Sequence, residues 1–210
     1  NVIVLSDREQ IRKLGELLRW NPGKAVFDTA PCFIVVTADP EKSGVRDDKP
    51  YYMTDVGIAL ENGVLAAAEM GLGTCWVAST YDAETTRAEI DEGEKLHDVV
   101  PIGYAPAKMP LRQRTMRAAI RARDKKLEDF WQGPCALADA PEWVQASVLS
   151  VLKGPSAANR QPVVFVQDEP DGPIRAELAH EQSEQVYTDI GIAKCHFEIG
   201  AGKENFTWEK

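Results

Sequence analysis

A short pattern that occurs twice constrains this chain more than any other feature. Thr54-Asp55-Val56-Gly57-Ile58-Ala59 returns near the end as Thr188-Asp189-Ile190-Gly191-Ile192-Ala193, with every position displaced by the same offset. That offset is far longer than a solenoid unit, for which the usual period is roughly 20–50 residues. It predicts a duplicated half-domain, one chain imitating a two-fold dimer with the two helices at the pseudosymmetric contact. Chance is the competing explanation, because Asp-x-Gly-x-Ala is short. The shared Thr before Asp and Ile after Gly favour duplication.

The first copy opens a helix from about Tyr52 to Met70. Val56, Ala59, Leu60, Gly63, Ala67 and Met70 repeat at helical spacing. Gly57, Ala59, Gly63, Ala66, Ala67 and Ala68 are small, which lets a second backbone come close and predicts a central, buried helix. The second copy predicts a helix from about Tyr187 to Gly200.

The segments between follow from local signals. Val2–Leu5 reads as a strand, and Ser6 with Glu9 has capping-box spacing ahead of a helix with Ile11, Leu14, Leu17 and Leu18 on one face. The unbroken apolar run Cys32–Thr37 predicts a strand buried on both faces. Asp39–Pro50 reads as a surface loop, Thr74–Ser79 as a strand, Asp82–Ile90 as a short helix and Val99–Tyr104 as a strand. Leu111 to about Arg123 is helical and basic, Pro134–Pro141 is a breaker-rich linker, and Pro141–Leu152 is a helix that Gly154 closes. Glu169-Pro170-Asp171-Gly172 predicts a hairpin between strands at Val163–Val166 and Ile174–Glu177. The mixture predicts an α+β class with a mixed or antiparallel sheet and central buried helices. The expected division is 1–133 and a shorter 134–210, together one compact pseudo-dimeric domain.

Composition removes several function classes. The 210 residues carry a net charge of −9, so general nucleic-acid binding is not expected. No run approaches the roughly 18 apolar residues of a membrane span, and no signal-peptide pattern is present; the expected location is cytoplasmic. Cys32, Cys75, Cys135 and Cys195 lack C-x-x-C spacing and read as reduced, buried thiols. No metal site is expected, because His97, His180 and His196 are scattered.

Three segments could carry chemistry. In Pro155-Ser156-Ala157-Ala158-Asn159-Arg160-Gln161-Pro162, two prolines flank polar groups suited to the edge of a planar heterocycle; a self-bonded turn would use the same residues. Gly71-Leu72-Gly73-Thr74-Cys75-Trp76-Val77-Ala78-Ser79 ends a helix and runs extended beside an aromatic, where exposed N–H groups could bond a redox ring; a helix stop before a core strand fits equally. Lys108, Arg112, Arg114, Arg117, Arg121, Arg123, Lys125 and Lys126 concentrate positive charge in an acidic chain. They suggest a bound anion such as phosphate, or simply a solvated helix face.

Together these motifs resemble the FMN-dependent nitroreductase family. The matching pieces are Ala30–Val36, the Asp55–Trp76 helix and loop, Val100-Pro101-Ile102-Gly103-Tyr104, and the Pro155–Pro162 loop. The recurring helix resembles the internally duplicated branch in which one chain mimics the family dimer. The resemblance implies one FMN held between the halves and NADH or NADPH as electron donor. Pro155, Ser156, Asn159 and Gln161 would approach the flavin ring. Trp76, Val77, Ala78 and Ser79 would offer groups near its reactive nitrogen, and Arg123 and Lys125 would reach the phosphate. No protein side chain need be catalytic. The family's Arg-Arg-Ser-like phosphate motif would lie upstream of Asn1, roughly 40 residues away.

The activity so implied is reduction of nitroaromatic, quinone or similar small-molecule acceptors, by a monomeric pseudo-dimer rather than an obligate homodimer, with no nucleic-acid or membrane partner. The alternative is a non-catalytic flavin- or phosphate-ligand-binding protein on the same scaffold.

Overall fold

The computed structural model describes residues 2–16, 24–42, 45–46, 49–78, 95–109, 111–179 and 185–209. The chain forms two compact units, Asn1–Ala107 and Lys108–Lys210. The basic segment therefore folds with the second unit, whereas the expected division at 133/134 carried it in the first half.

In the first unit, strands β1 (Val2–Leu5), β2 (Cys32–Ala38), β5 (Gly73–Thr74), β6 (Val77–Ala78) and β7 (Lys95–Gly103) make an antiparallel sheet. Its order is β1-β2-β7-β5, and β6 also pairs with β7. The apolar run of β2 has its reason here. Alternate side chains of a strand point to opposite faces, and each face has its own core. Phe33 and Val35 pack with Ile11, Leu14, Phe27 and Val99. Val36 packs with Val56, Leu60, Val64 and Val100. The first core is supplied by helices α1 (Arg8–Glu16) and α2 (Lys24–Thr29), the second by α3 (Tyr51–Glu69).

Several expectations need correction in this unit. Asp7, not Ser6, caps α1: its Oδ1 accepts the N–H groups of Glu9 and Gln10, both at 3.0 Å. Asp7 directly precedes the first helical residue, and its carboxylate also meets the positive end of the helix dipole. Helix α3 is buried on one face only; Ala59, Ala66 and Ala68 are exposed. The Asp39–Pro50 loop contains a small ladder, β3 (Val45–Arg46) with β4 (Lys49–Pro50). The strand expected over Thr74–Ser79 is broken at Cys75-Trp76 into β5 and β6. Leu17, Leu18, Ser79 and the helix expected at 82–90 lie outside the described residues.

The second unit has a three-stranded sheet of order β10-β9-β8: β8 (Trp131–Gln132), β9 (Val163–Val166) and β10 (Arg175–Leu178). β9–β10 is the expected antiparallel hairpin, and β8 runs parallel to β9. Helices α5 (Glu142–Lys153) and α6 (Gln185–Ala201) pack on each other and on the sheet core. Phe165 and Phe197 stack at 4.3 Å between ring centroids, and Phe206 and Trp208 complete an aromatic cluster about Phe197. Pro134–Pro141 is not a linker. It forms a tight turn within this unit, and Leu137 and Ala140 are buried in its core. The fold is α+β with antiparallel and mixed sheets, as expected. Cys195 is buried and Cys32 half-buried, but Cys75 and Cys135 are exposed, so the reading of all four as buried thiols does not hold.

Candidate functional site

The second unit brings the Pro155–Pro162 loop to the N-terminal part of α6. After Gly154 ends α5, the loop makes one tight turn over Ala157–Asn159. Three of its non-glycine residues are left-handed: Ala158 (φ 52°), Asn159 (φ 55°) and Gln161 (φ 49°). Such backbones cost roughly 1–3 kcal/mol each and persist only where the surroundings over-determine them.

The surroundings here are hydrogen bonds on three sides. Gln161 N–H donates to Ser156 Oγ at 2.9 Å, so the loop closes on itself. The Asn159 amide donates to Ile120 O at 3.0 Å and to Asp124 Oδ1 at 2.8 Å, tying the loop to the end of helix α4 (Leu111–Arg121). Lys125 N–H donates to Gln161 Oε1 at 2.8 Å. From α6, Asp189 Oδ1 accepts Ala157 N–H at 2.9 Å.

Beneath the loop lies a small cleft, partly open to solvent. Its walls are mostly apolar, among them Phe130, Val151, Pro155, Val163 and Ile192, with Ser156, Gln161 and Asp189 as its polar members. Asp189 is only 4% exposed. Its Oδ2 is buried and has no hydrogen-bond partner among the described residues. Burial pushes its carboxyl up to about 6, against the smaller opposing effects of the Ala157 N–H and the Arg160 charge. An acceptor-only carboxylate oxygen without a donor is costly in an apolar setting.

The residues singled out from the sequence divide between the units. Pro155, Ser156, Asn159 and Gln161 come together around this cleft or its loop. Arg123 is exposed, and the half-buried Lys125 holds its Nζ 5.7 Å from the centre of the Phe130 ring; both directly follow the helix that Asn159 binds. Trp76, Val77 and Ala78 belong to the first unit. There the Trp76 indole N–H donates to the buried Glu61 Oε2 at 2.9 Å, and Val77 and Ala78 pair with Val99 and Asp98 of β7. Ser79 lies outside the described residues. Asp189 was missing from the candidates, although it is the acidic position of the repeated pattern.

A family model described as "Putative TM nitroreductase" matches residues 26–201. The chain belongs to this nitroreductase family. Two curated relatives, from Archaeoglobus fulgidus and Methanothermobacter thermautotrophicus, are each described as "Putative NADH dehydrogenase/NAD(P)H nitroreductase". They are 32% and 33% identical over 49% and 51% of this chain. The chain spans 59% and 56% of their lengths, a little over half. The solved structure of a putative nitroreductase from Thermotoga maritima overlaps 91% of this chain and 73% of its own, with a TM-score of 0.54 at 20% identity. That likeness is one of fold. Among the described residues, no helix of this nitroreductase-family chain is long and apolar enough to cross a membrane.

Proposed function

We propose that this chain belongs to a flavin-dependent oxidoreductase that binds FMN, takes electrons from NADH or NADPH, and passes them to a nitroaromatic, quinone or similar small acceptor. The observation that carries the reading is the cleft beneath the Pro155–Pro162 loop, where a buried carboxylate oxygen is left without a donor. Membership of the nitroreductase family and the names of the curated relatives support it. An apolar-walled cleft edged by polar groups is the kind of surface that meets one rim of a planar heterocycle, and the exposed Arg123 and half-buried Lys125 after α4 would attract a phosphate tail.

When bound, FMN would supply the hydride and electron chemistry. The chain's own residues would bind and orient it. Pro155 and Phe130 would exclude water, Ser156 and Gln161 would fix the loop, and Arg123 and Lys125 would attract the phosphate. The recurrence of Thr-Asp-x-Gly-Ile-Ala we read as duplication of a half-domain.

The test is to add FMN to the purified chain and follow its fluorescence and absorbance. Saturable binding followed by bleaching with NADH or NADPH supports the oxidoreductase. A bound flavin that neither donor bleaches favours the non-catalytic binder, a reading supported by the number of exposed cations near α4. Absence of binding overturns the proposal.

A further inference from the structure

We propose that helix α4 docks on a second copy of this chain, its Arg114, Arg117 and Arg121 set against the acidic end of the β9–β10 hairpin in that copy. The pairing does not depend on the FMN reading and uses none of the residues assigned to it.

Helix α4 is tied down at one end and exposed along its length. It has 11 residues, and every one of them whose side chain is described is exposed, Leu111 by 72%. A helix without a packed face is marginal in water below about 12–15 residues. Its C-terminal end is held where Ile120 O accepts the Asn159 amide at 3.0 Å.

Charge selects what can cover it. Arg114, Arg117 and Arg121 recur at i, i+3 and i+7, so they share one face and span about 10 Å of the axis. The helix contains no acidic residue, and among the described residues no ion pair involves these three. Residues 108–126 hold eight of the chain's 24 Lys and Arg but one of its 33 Asp and Glu, so the rest of the chain is strongly acidic. An anionic bilayer fits poorly. Leu111 and Ile120 are nine residues apart, on opposite sides of the helix, and leave no single apolar face to immerse. Nucleic acid fits no better, because the segment has no aromatic side chain on which bases could stack.

The complementary charge lies on the same unit, at its other end. Five exposed carboxylates, Asp168, Glu169, Asp171, Glu177 and Glu209, gather about the β9–β10 turn, and Arg175 pairs with Asp168, Glu177 and Glu209. Strand β9 separates this turn from the loop that holds α4, since Pro162 precedes the strand and Gln167 follows it, a distance of about 13 Å. Within one copy no ion pair joins stripe and turn among the described residues. A second copy turned end for end sets each stripe against the other's carboxylates, a reciprocal two-fold contact whose attraction salt weakens.

The test is analytical ultracentrifugation of the purified chain in about 50 mM and about 0.5 M NaCl, between which the screening length falls from roughly 14 Å to roughly 4 Å. The wild type at about 0.1 mM is expected to pair in low salt, with a dissociation constant about tenfold weaker in high salt. Two variants separate the surfaces: Arg114→Glu with Arg117→Glu and Arg121→Glu, and Glu169→Lys with Glu209→Lys. Each alone is expected to stay monomeric in low salt. Their equimolar mixture is expected to associate, because the stripe of the second and the turn of the first are intact. Circular dichroism checks that both variants are folded.

A wild type that stays monomeric in low salt overturns the inference, whether or not it binds FMN. So does pairing that salt does not weaken, or that persists in the folded arginine variant. A mixture that stays monomeric overturns the acidic turn as the partner surface. A monomer that sediments with phosphatidylserine vesicles assigns the helix to a membrane and overturns the inference as well.

Discussion

Asp189 and Ala157 lie 32 residues apart in sequence and are joined by one hydrogen bond of 2.9 Å, from the Ala157 main-chain N–H to Asp189 Oδ1. This bond attaches the left-handed loop to helix α6 through a carboxylate that the fold otherwise buries. Its energetics give the first prediction.

Burial holds the Asp189 carboxyl near 6 rather than at its ordinary 3.8. The native state therefore binds this proton more tightly than the unfolded chain does. Wild-type stability from this group is fully present below about 4 and is lost as pH rises through 6, a change on the order of 3 kcal/mol. Asp189→Asn does not titrate and keeps an acceptor for Ala157. It should be more stable than wild type at pH 7 by about 2 kcal/mol, with the gap closing towards pH 4. Urea unfolding at the two pH values measures this; an Asn variant weaker than wild type at pH 7 contradicts it.

Ala158 sits at φ 52°, ψ 25°, a region that costs an L-residue with a Cβ about 1 kcal/mol. Ala158→Gly relieves the strain while loosening the unfolded chain, so it should stabilise by roughly 0.5 kcal/mol. Ala158→Val, β-branched in the same backbone, should destabilise by about 1–2 kcal/mol. Chemical unfolding of the pair should give opposite signs.

Gly200 of α6 lies directly against the backbone of α5. A Cβ there would stand 2.6 Å from Ser147 Cα and 2.8 Å from Ala146 O. Both obstacles are backbone and cannot rotate away. Gly200→Ala should cost about 2–3 kcal/mol by forcing the helices apart, read as a lower midpoint of unfolding, and an unchanged midpoint would count against this packing.

In the first unit, Trp76 donates to Glu61, whose side chain is 1% exposed. Trp76→Phe keeps most of the ring and removes the donor. The expected loss is about 1–3 kcal/mol, the cost of taking a donor from a buried acceptor. Thermal unfolding should register it, and a neutral effect would place the stabilisation elsewhere.

The sequence made the strands and long helices legible because their patterns are local. The run Cys32–Thr37 called for burial on both faces, and β2 has a core on each side. The hairpin at Glu169–Gly172 announced itself through Pro, Asp and Gly. What stayed hidden depends on tertiary surroundings. Strand β8 is two residues long, too short for any period. Pro134–Pro141 has a linker's composition, but Leu137 and Ala140 are drawn into the core. The clearest case is the site itself. Asp55 and Asp189 stand in nearly identical local sequence, yet one is exposed and the other buried. No pattern along the chain separates them; only the loop packed over α6 does. A signal was present, since a repeated acidic position invites comparison of its two environments.

The most direct test of the account is the FMN content of the chain. Purified protein is mixed with excess FMN, freed of unbound flavin by gel filtration, and read by flavin absorbance against protein concentration. The account predicts about one FMN per chain, with the flavin band bleached by NADH or NADPH. Protein that emerges without a flavin band contradicts it.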